Sequence, residues 1–390
     1  MRILFIGGTG LISSACSPLV IERGMDLTLV NRGTSTKADA PRGSRVLHAD
    51  VRDVDAFRDM LRADVAEHGR YDAVVQWICF SPEHALQDIE TFAELTDQYV
   101  FISSASAYQT PPQHFVTTEQ TPLDNPFWQY SRDKAAIESV LREAATASGF
   151  PFTIVRPSHT YGYSDVPLAI TSGAAPWTAL DRIERGQKFI VHGDGTSLWT
   201  LTDHRDFAVG LVGLLGNAKA LGEDFTITSD DVLTWNQIHQ YVGAAVGVSP
   251  EAIAAQSVFI PSTLLARYDA DSFEGPLLGD KANARIFDTS KLRAAVPEFN
   301  PTRRFRDGIH EAIAWFRADE TRRVIDDATN ARWDDLIDRY ERATAEVLEG
   351  DPTETTFFDG PALDDSVVDD SVASDVAAKA TVANDAAAHD

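Results

Sequence analysis

Short apolar runs and longer amphipathic stretches alternate along the first third of the chain. "RILFI" is an apolar run ended by glycines, "LISSACSPLVIER" has helical spacing, and "DLTLV" is a second buried-strand candidate. "RVLHAD", the helix-like "VDAFRDMLRADVAEH", "DAVVQWICF", a helix over about 82–96 and "QYVFISS" continue the pattern. A helix through "QYSRDKAAIESVLREAATAS", closed by Gly149, and the strand "FTIVRP" complete it. Strands separated by helices of this length require right-handed parallel crossovers, so the expected class is α/β with a doubly wound parallel sheet. Pro18 inside the first helical stretch predicts a kink or an early stop there.

After Gly162 the alternation weakens. A helix around "APWTALDRIERG" and short strands such as "KFIVHG" and "DFTITS" suggest a smaller lobe mixed with late elements of the sheet. Helices "WNQIHQYVGAAVG", "FRDGIHEAIAWFRAD" and "ARWDDLIDRYERATAEVLEG" follow. The expected division is a nucleotide-binding part over 1–165, with later sheet elements from about 198–230, and a substrate lobe over 166–345. From 351 to 390 the chain is mostly Asp, Ala, Val and Thr, which cannot offset its ordering entropy, so an acidic disordered tail is expected. No internal repeat is visible.

Composition changes the picture in one respect. With 390 residues, 44% hydrophobic and 24% charged, the chain has the balance of a soluble globular protein. Its formal net charge of −25, from Asp+Glu 59 against Lys+Arg 34, repels phosphate backbones and makes nucleic acid a poor partner. Acids spread through the body and scarce Lys suggest adaptation to high salt. No apolar run spans a bilayer, and "ILFIGGTG" is too short for a signal segment, so a cytoplasmic location without membrane attachment is expected. Cys16 and Cys79 stand far apart without Cys or His company, which predicts buried thiols.

The chemistry begins where the first strand meets the first helix. In "GGTGLIS", Gly7, Gly8 and Gly10 permit a tight turn and close backbone approach, and the helix N-terminus beyond offers N–H groups to a diphosphate. Ser13 stands where a third glycine is usual. At the end of the second strand, where such sites often place an acid on the adenosine ribose, the chain has Asn31 and Arg32. A cation there suits a 2′-phosphate, so NADP is expected ahead of NAD, although a plain loop arginine reads the same way. Asp50 is a candidate for the adenine amino group or a solvated loop aspartate.

Ser103, Ser104 and Ser106 of "FISSASAY" fall at the carboxyl end of a strand, where doubly wound folds bind ligands; ordinary turn chemistry also favours Ser there. In "YSRDK", Tyr130 and Lys134 lie one helical turn apart and share a face. A free phenol titrates near ~10, and a neighbouring ammonium together with an oxidised nicotinamide favours phenolate.

"GGTGLIS", "FISSASAY", "YSRDK" and "RPSHTYG", in this order over most of residues 1 to 320, resemble the extended short-chain dehydrogenase/reductase superfamily of NAD-dependent epimerases and dehydratases. The resemblance implies a Rossmann-type sheet with a smaller C-terminal substrate lobe. It implies Tyr130 as acid/base, Lys134 lowering its pKa and holding the nicotinamide ribose, and Ser104, with Ser106 as near alternative, orienting the substrate oxygen. Gly7, Gly8, Thr9, Gly10, Leu11, Ile12, Asn31, Arg32, Asp50 and Pro157 would join Tyr130 and Lys134 around NADP or NAD. His159 stands where Asn is frequent. Dehydrating members carry an Asp-Glu pair after the catalytic hydroxyl, where this chain has Ala105 and Ser106. Trp199 replaces an arginine that grips the diphosphate in UDP-sugar epimerases, with Arg182, Arg205 or Arg285 as candidate substitutes.

"NRG", "DRIERG" and "HGDG" also resemble an atypical branch that includes the chloroplast stem-loop-binding proteins, which bind RNA. His204, beside Asp203 and Asp206, is read as a hydrogen-bonded residue, and no metal site is expected. The expectation is an NAD(P)-dependent epimerase acting on a hydroxyl or keto group of a sugar or sugar nucleotide. An NADP-linked reductase or dehydrogenase with net redox is the first alternative, and a non-catalytic dinucleotide- or RNA-binding protein the second. A homodimer is compatible with the sequence.

Overall fold

A computed structural model describes residues 1–33, 40–173 and 175–349. The stretch 351–390, expected to be a disordered tail, lies outside them. Met1–Arg339 form one compact unit. Its first half runs β1 (Arg2–Ile6), α1 (Ser13–Glu22), β2 (Asp26–Asn31), β3 (Arg45–His48), α2 (Val54–His68), β4 (Ala73–Gln76), α3 (Pro82–Phe92), β5 (Tyr99–Ile102) and α4 (Gln129–Ser148). These elements, with strands Phe152–Pro157 and Asp224–Ile227, build a seven-stranded sheet. From one edge the order is Asp224–Ile227, Phe152–Pro157, β5, β4, β1, β2, β3, and every pair is parallel. The alternation of apolar runs and helices thus yields the expected doubly wound class.

The central strand shows why. Ile3 and Phe5 enter one buried cluster, which includes Val20 of α1 and Leu211 of helix His204–Leu214. Leu4 and Ile6 point the other way, into a cluster with Phe57, Phe92 and Ile137 from α2, α3 and α4. A strand buried on both faces reads as a continuous apolar run, as "RILFI" does. α1 does not stop at Pro18: the helix continues to Glu22, with Val20 buried two residues on. "DAVVQWICF" gives only a short strand, because the Gln76 side chain turns the chain by accepting from Ile78 N at 2.9 Å while donating to Asp88 at 2.8 Å. α3 ends at Phe92, short of residue 96.

The strand order reverses between β1 and β4. Gly7 N donates to Val30 O at 2.8 Å on one side, while Trp77 N donates to Ile6 O at 3.2 Å on the other, so the chain parts there at the carboxyl edge. Such a switch point forms a ligand crevice in open α/β sheets.

α4 is anchored to the sheet by a buried charge. Glu138 accepts from Arg156 Nε at 2.8 Å and from Ser103 Oγ at 2.6 Å, and Arg156 also reaches Tyr108 Oη at 2.9 Å and Asp224 at 2.8 Å. Removing one partner strands the rest in a low dielectric. Glu138→Ala is therefore expected to cost about 3–5 kcal/mol in chemical denaturation, and an unchanged midpoint would refute that role for the network.

The later chain forms small sheets beside the large one. Leu198–Asp203 pairs with Val232–Thr234 and His159–Tyr161, and Phe189–His192 pairs with Ser257–Ile260. Of the stretch 198–230, Asp224–Ile227 joins the main sheet and Leu198–Asp203 does not. Cys16 and Cys79 are free, buried thiols. No helix among the described residues is long and apolar enough to cross a membrane.

Candidate active site

The glycine loop connects β1 to α1. Gly7 and Gly8 have φ of +97° and +104°, and a Cβ on Gly8 would lie 2.8 Å from Leu29 Cδ2, so side chains are excluded by strain and space together. Gly10 N donates to Ser13 Oγ at 2.9 Å; the hydroxyl in place of a third glycine ties the loop to the helix start. Thr9 lines the crevice, and Leu11 leads to Ile12, which precedes α1 without a side-chain cap. No side chain caps this helix; in its first turn Ser14 N donates to Gly10 O at 2.9 Å and Ala15 N to Ile12 O at 3.4 Å.

Beside the loop lies a cavity of about 640 Å³, lined by Gly7, Asn31, Arg32, Asp50, Ile78 and Phe80 among others. Asn31 Oδ1 accepts from Gly33 N at 2.9 Å. Asp50 faces this cavity, but its carboxylate is engaged by Arg52 Nη2 at 2.6 Å and Nε at 3.0 Å rather than standing free for an adenine. That partner holds the Asp50 carboxyl well below the usual carboxylate range.

A second cavity, about 290 Å³, holds the catalytic candidates Ser104 and Tyr130, with Ser106 and Pro157. Ser104 caps a short 3-10 turn and shares the cavity with Tyr130, its hydroxyl favouring the phenolate form. Ser106 stands behind it, with Oγ 2.9 Å from Ser104 Oγ and accepting from Ser131 Oγ at 2.8 Å. The structure therefore puts Ser104, not Ser106, against the phenol. Lys134 is 2% exposed; its ammonium donates to Cys79 O at 2.9 Å and Ile102 O at 2.8 Å, leaving one N–H for a ligand hydroxyl. It lies 5.7 Å from the Tyr130 ring centroid.

Burial raises Tyr130 above its ordinary value of 10.0, and nearby Asp280 adds to the rise against the effect of the Ser104 hydroxyl. Burial also brings the Lys134 ammonium down to about 8.

Loop, crevice and Ser-Tyr-Lys cluster together have the geometry of a dinucleotide oxidoreductase site, and the model of the NAD dependent epimerase/dehydratase family matches residues 3–228, more than half of the chain. The chain belongs to that family. The epimerase/dehydratase likeness extends to the Arabidopsis thaliana chloroplast stem-loop binding protein of 41 kDa b, 26% identical over 265 residues. That match spans 65% of this chain and 65% of the relative, just under two thirds of its length. A Lactobacillus helveticus UDP-glucose 4-epimerase is 23% identical over 320 residues, covering 76% of this chain and 91% of the relative. Among solved structures, dTDP-glucose 4,6-dehydratase from Bacillus anthracis in complex with NAD shares the fold. It superposes with a TM-score of 0.64 at 16% identity, covering 82% of this chain and 98% of that one. The family is described as NAD-dependent epimerases and dehydratases, the enzyme class expected from the motifs.

Tertiary structure relocates the arginines proposed as diphosphate grips in this epimerase/dehydratase chain. Arg285 is buried and donates to Ala105 O, Gln109 O and Thr110 Oγ1, bracing the serine loop. Arg182 bonds Lys188 O and Asp334, and Arg205 pairs with Asp203 and Glu311. None of the three lines the Tyr130 cavity. His159 does, and burial with nearby Lys281 pushes its imidazole down to about 3, so it is neutral. Trp199 also lines it, as a stacking role requires. The sequence reading missed Trp128, Asp280, Lys281 and Phe287, which complete the wall. The only signal for Asp280 and Lys281 was the aperiodic "EGPLLGDK", which belongs to neither a strand nor an α-helical pattern.

Proposed function

We propose that this chain is a sugar-nucleotide epimerase that uses NADP or NAD, with NADP favoured, at a hydroxyl carbon of its substrate. The observation that carries the reading is that Ser104 and Tyr130 meet in one cavity whose far side is built by the later chain, with Lys134 one helical turn beyond the phenol. Gly7, Gly8, Thr9, Gly10 and the start of α1 would hold the diphosphate. Asn31 and Arg32 would hold the adenosine end, and Lys134 and Pro157 the nicotinamide end. When bound, the nicotinamide supplies a hydride acceptor and donor.

Tyr130 takes the proton of the substrate hydroxyl on oxidation and returns it on reduction, while Ser104 holds the same oxygen. The phenol is protonated in the free protein, so bound positive charge is what makes it a base at neutral pH. Return of hydride to the opposite face of the ketone gives epimerisation without net redox. Ala105 and Ser106 follow Ser104, so the position lacks the acid and base of dehydration. The formal net charge of −25 opposes an RNA-binding reading.

UDP-glucose supplied with NAD or NADP tests the reading. Its conversion to the C4 epimer, with no accumulating reduced-nicotinamide absorbance, is expected; stoichiometric reduction of cofactor would replace epimerisation with net redox. For cofactor choice, Arg32 lines the nucleotide cavity and a cation there favours a 2′-phosphate. Arg32→Asp is expected to move the NADP/NAD affinity ratio at least tenfold toward NAD, and an unchanged ratio rejects this assignment.

A further inference from the structure

The wall opposite Tyr130 is built by one irregular segment. Glu274–Lys281 forms a π-helix, a geometry that often marks functional sites. It is seated by close contact: a Cβ on Gly275 would overlap the Trp128 ring, and one on Gly279 would lie 3.1 Å from Trp128 Cβ. Asn125 Nδ2 ties the segment to the serine loop, donating to Gly279 O and Ser106 O at 2.7 Å each. Trp128 in turn packs on Tyr130, with ring centroids 5.1 Å apart. The last two residues of this seated segment, Asp280 and Lys281, are the two charged residues besides neutral His159 that could meet a substrate in the cavity.

Their charges form a close pair on one wall, and each acts on a different residue of the cavity. Asp280 acts on Tyr130, raising its phenol, whereas Lys281 acts on His159, lowering its imidazole. The two heads are 3.7 Å apart and largely shielded, at 17% and 14% side-chain exposure. Trp199, 3% exposed and also lining the cavity, leaves its Nε1 without a hydrogen-bond partner. Aromatic faces, one orphan donor, a carboxylate that acts on Tyr130 and an ammonium directly beside it suit a ligand with a neutral hydroxylated ring next to an anionic group.

We propose that Asp280 and Lys281 are a specificity-determining pair that orients the substrate: Asp280 accepts hydrogen bonds from ring hydroxyls beside the reacting one, and Lys281 takes a phosphate of that anionic group. This rests on the sugar-nucleotide reading and deepens it. It assigns the anion contact that Arg182, Arg205 and Arg285 do not make. It also predicts rejection of sugars bearing a carboxylate on the ring, because a second carboxylate beside Asp280 would be repelled in a poorly solvated cavity.

The test is calorimetric titration of UDP-glucose and UDP-glucuronate into the NAD-loaded protein, its Asp280→Asn variant and its Lys281→Met variant. Both variants are expected to bind UDP-glucose at least tenfold more weakly than wild type. Asp280→Asn is also expected to narrow the preference for UDP-glucose over UDP-glucuronate by tenfold or more. NAD affinity within twofold of wild type reports an intact fold and dinucleotide half. Wild-type affinity for UDP-glucose in either variant, or an unchanged preference in Asp280→Asn, overturns the pair alone. Absence of binding of both nucleotide sugars to wild type overturns the sugar-nucleotide reading and the pair with it.

Discussion

Tyr130→Phe is expected to lower turnover about 10²–10⁴-fold, the range that a positioned general acid–base group supplies, and to leave dinucleotide affinity within twofold. The substitution removes one oxygen, and with it the proton carrier that Ser104 acts on. It keeps the ring that packs against Trp128 and lies over the Lys134 ammonium. The helix stays anchored through Glu138 and Arg156, well away from the phenol oxygen. Loss of rate with retained binding is thus the signature of lost proton transfer rather than of a damaged fold. Cofactor titration by fluorescence and a turnover assay on the same preparation check it. Wild-type turnover in the variant would remove Tyr130 from the mechanism.

Stability is expected to fall steeply as the pH drops below the ordinary histidine range. His192 and His239 are buried, and burial pushes both imidazoles from 6.5 down to about 4. Each is held as a neutral ring: His192 Nε2 lies 3.1 Å from Lys281 O, and His239 Nδ1 lies 2.8 Å from Trp235 O with Phe189 stacked on its face. The unfolded chain binds protons at these sites near pH 6.5, while the folded one does so only near 4. Stability is therefore full above 6.5 and lost progressively on acidification. At about 1.4 kcal/mol per pK unit, each histidine contributes roughly 3 kcal/mol by the bottom of that window.

Lowered carboxylates such as Asp203 and Asp224 add to the loss only as the pH falls further, into their own range. Raised ones, Asp88 and Asp280, oppose it. Urea denaturation at pH 7 and at pH 5 measures the slope between them. A His192→Asn, His239→Gln double variant should lessen it, with His159 and His204, both lowered by burial, supplying the remainder; an equal slope in variant and wild type would show that these two rings are not what limits acid stability.

How much of this was legible beforehand follows from the range of each interaction. The glycine loop and the Tyr130–Lys134 pair lie within single turns of chain, so spacing alone places them. Glu138 and Arg156 sit on separate elements, and their pairing is a contact that neither element's pattern announces. Asp50 reads from sequence as an adenine contact or a solvated loop aspartate; the structure places it on the cavity and paired with Arg52, a local geometry that residue types leave open. Arg285 looked like an anion grip and is instead a buried brace, because three oxygens of the serine loop converge on it across a long sequence gap.

The alternation of strands and helices, the glycine turn after β1 and the helix that carries the phenol and ammonium were determined by the sequence itself, since apolar periodicity and glycine chemistry act over a few residues. The wall facing Tyr130 was decided only by tertiary structure. Asp280 and Lys281 have no periodic context; they reach the cavity because two glycines let an irregular helix settle on Trp128, and that fit exists only once distant parts of the chain have packed together.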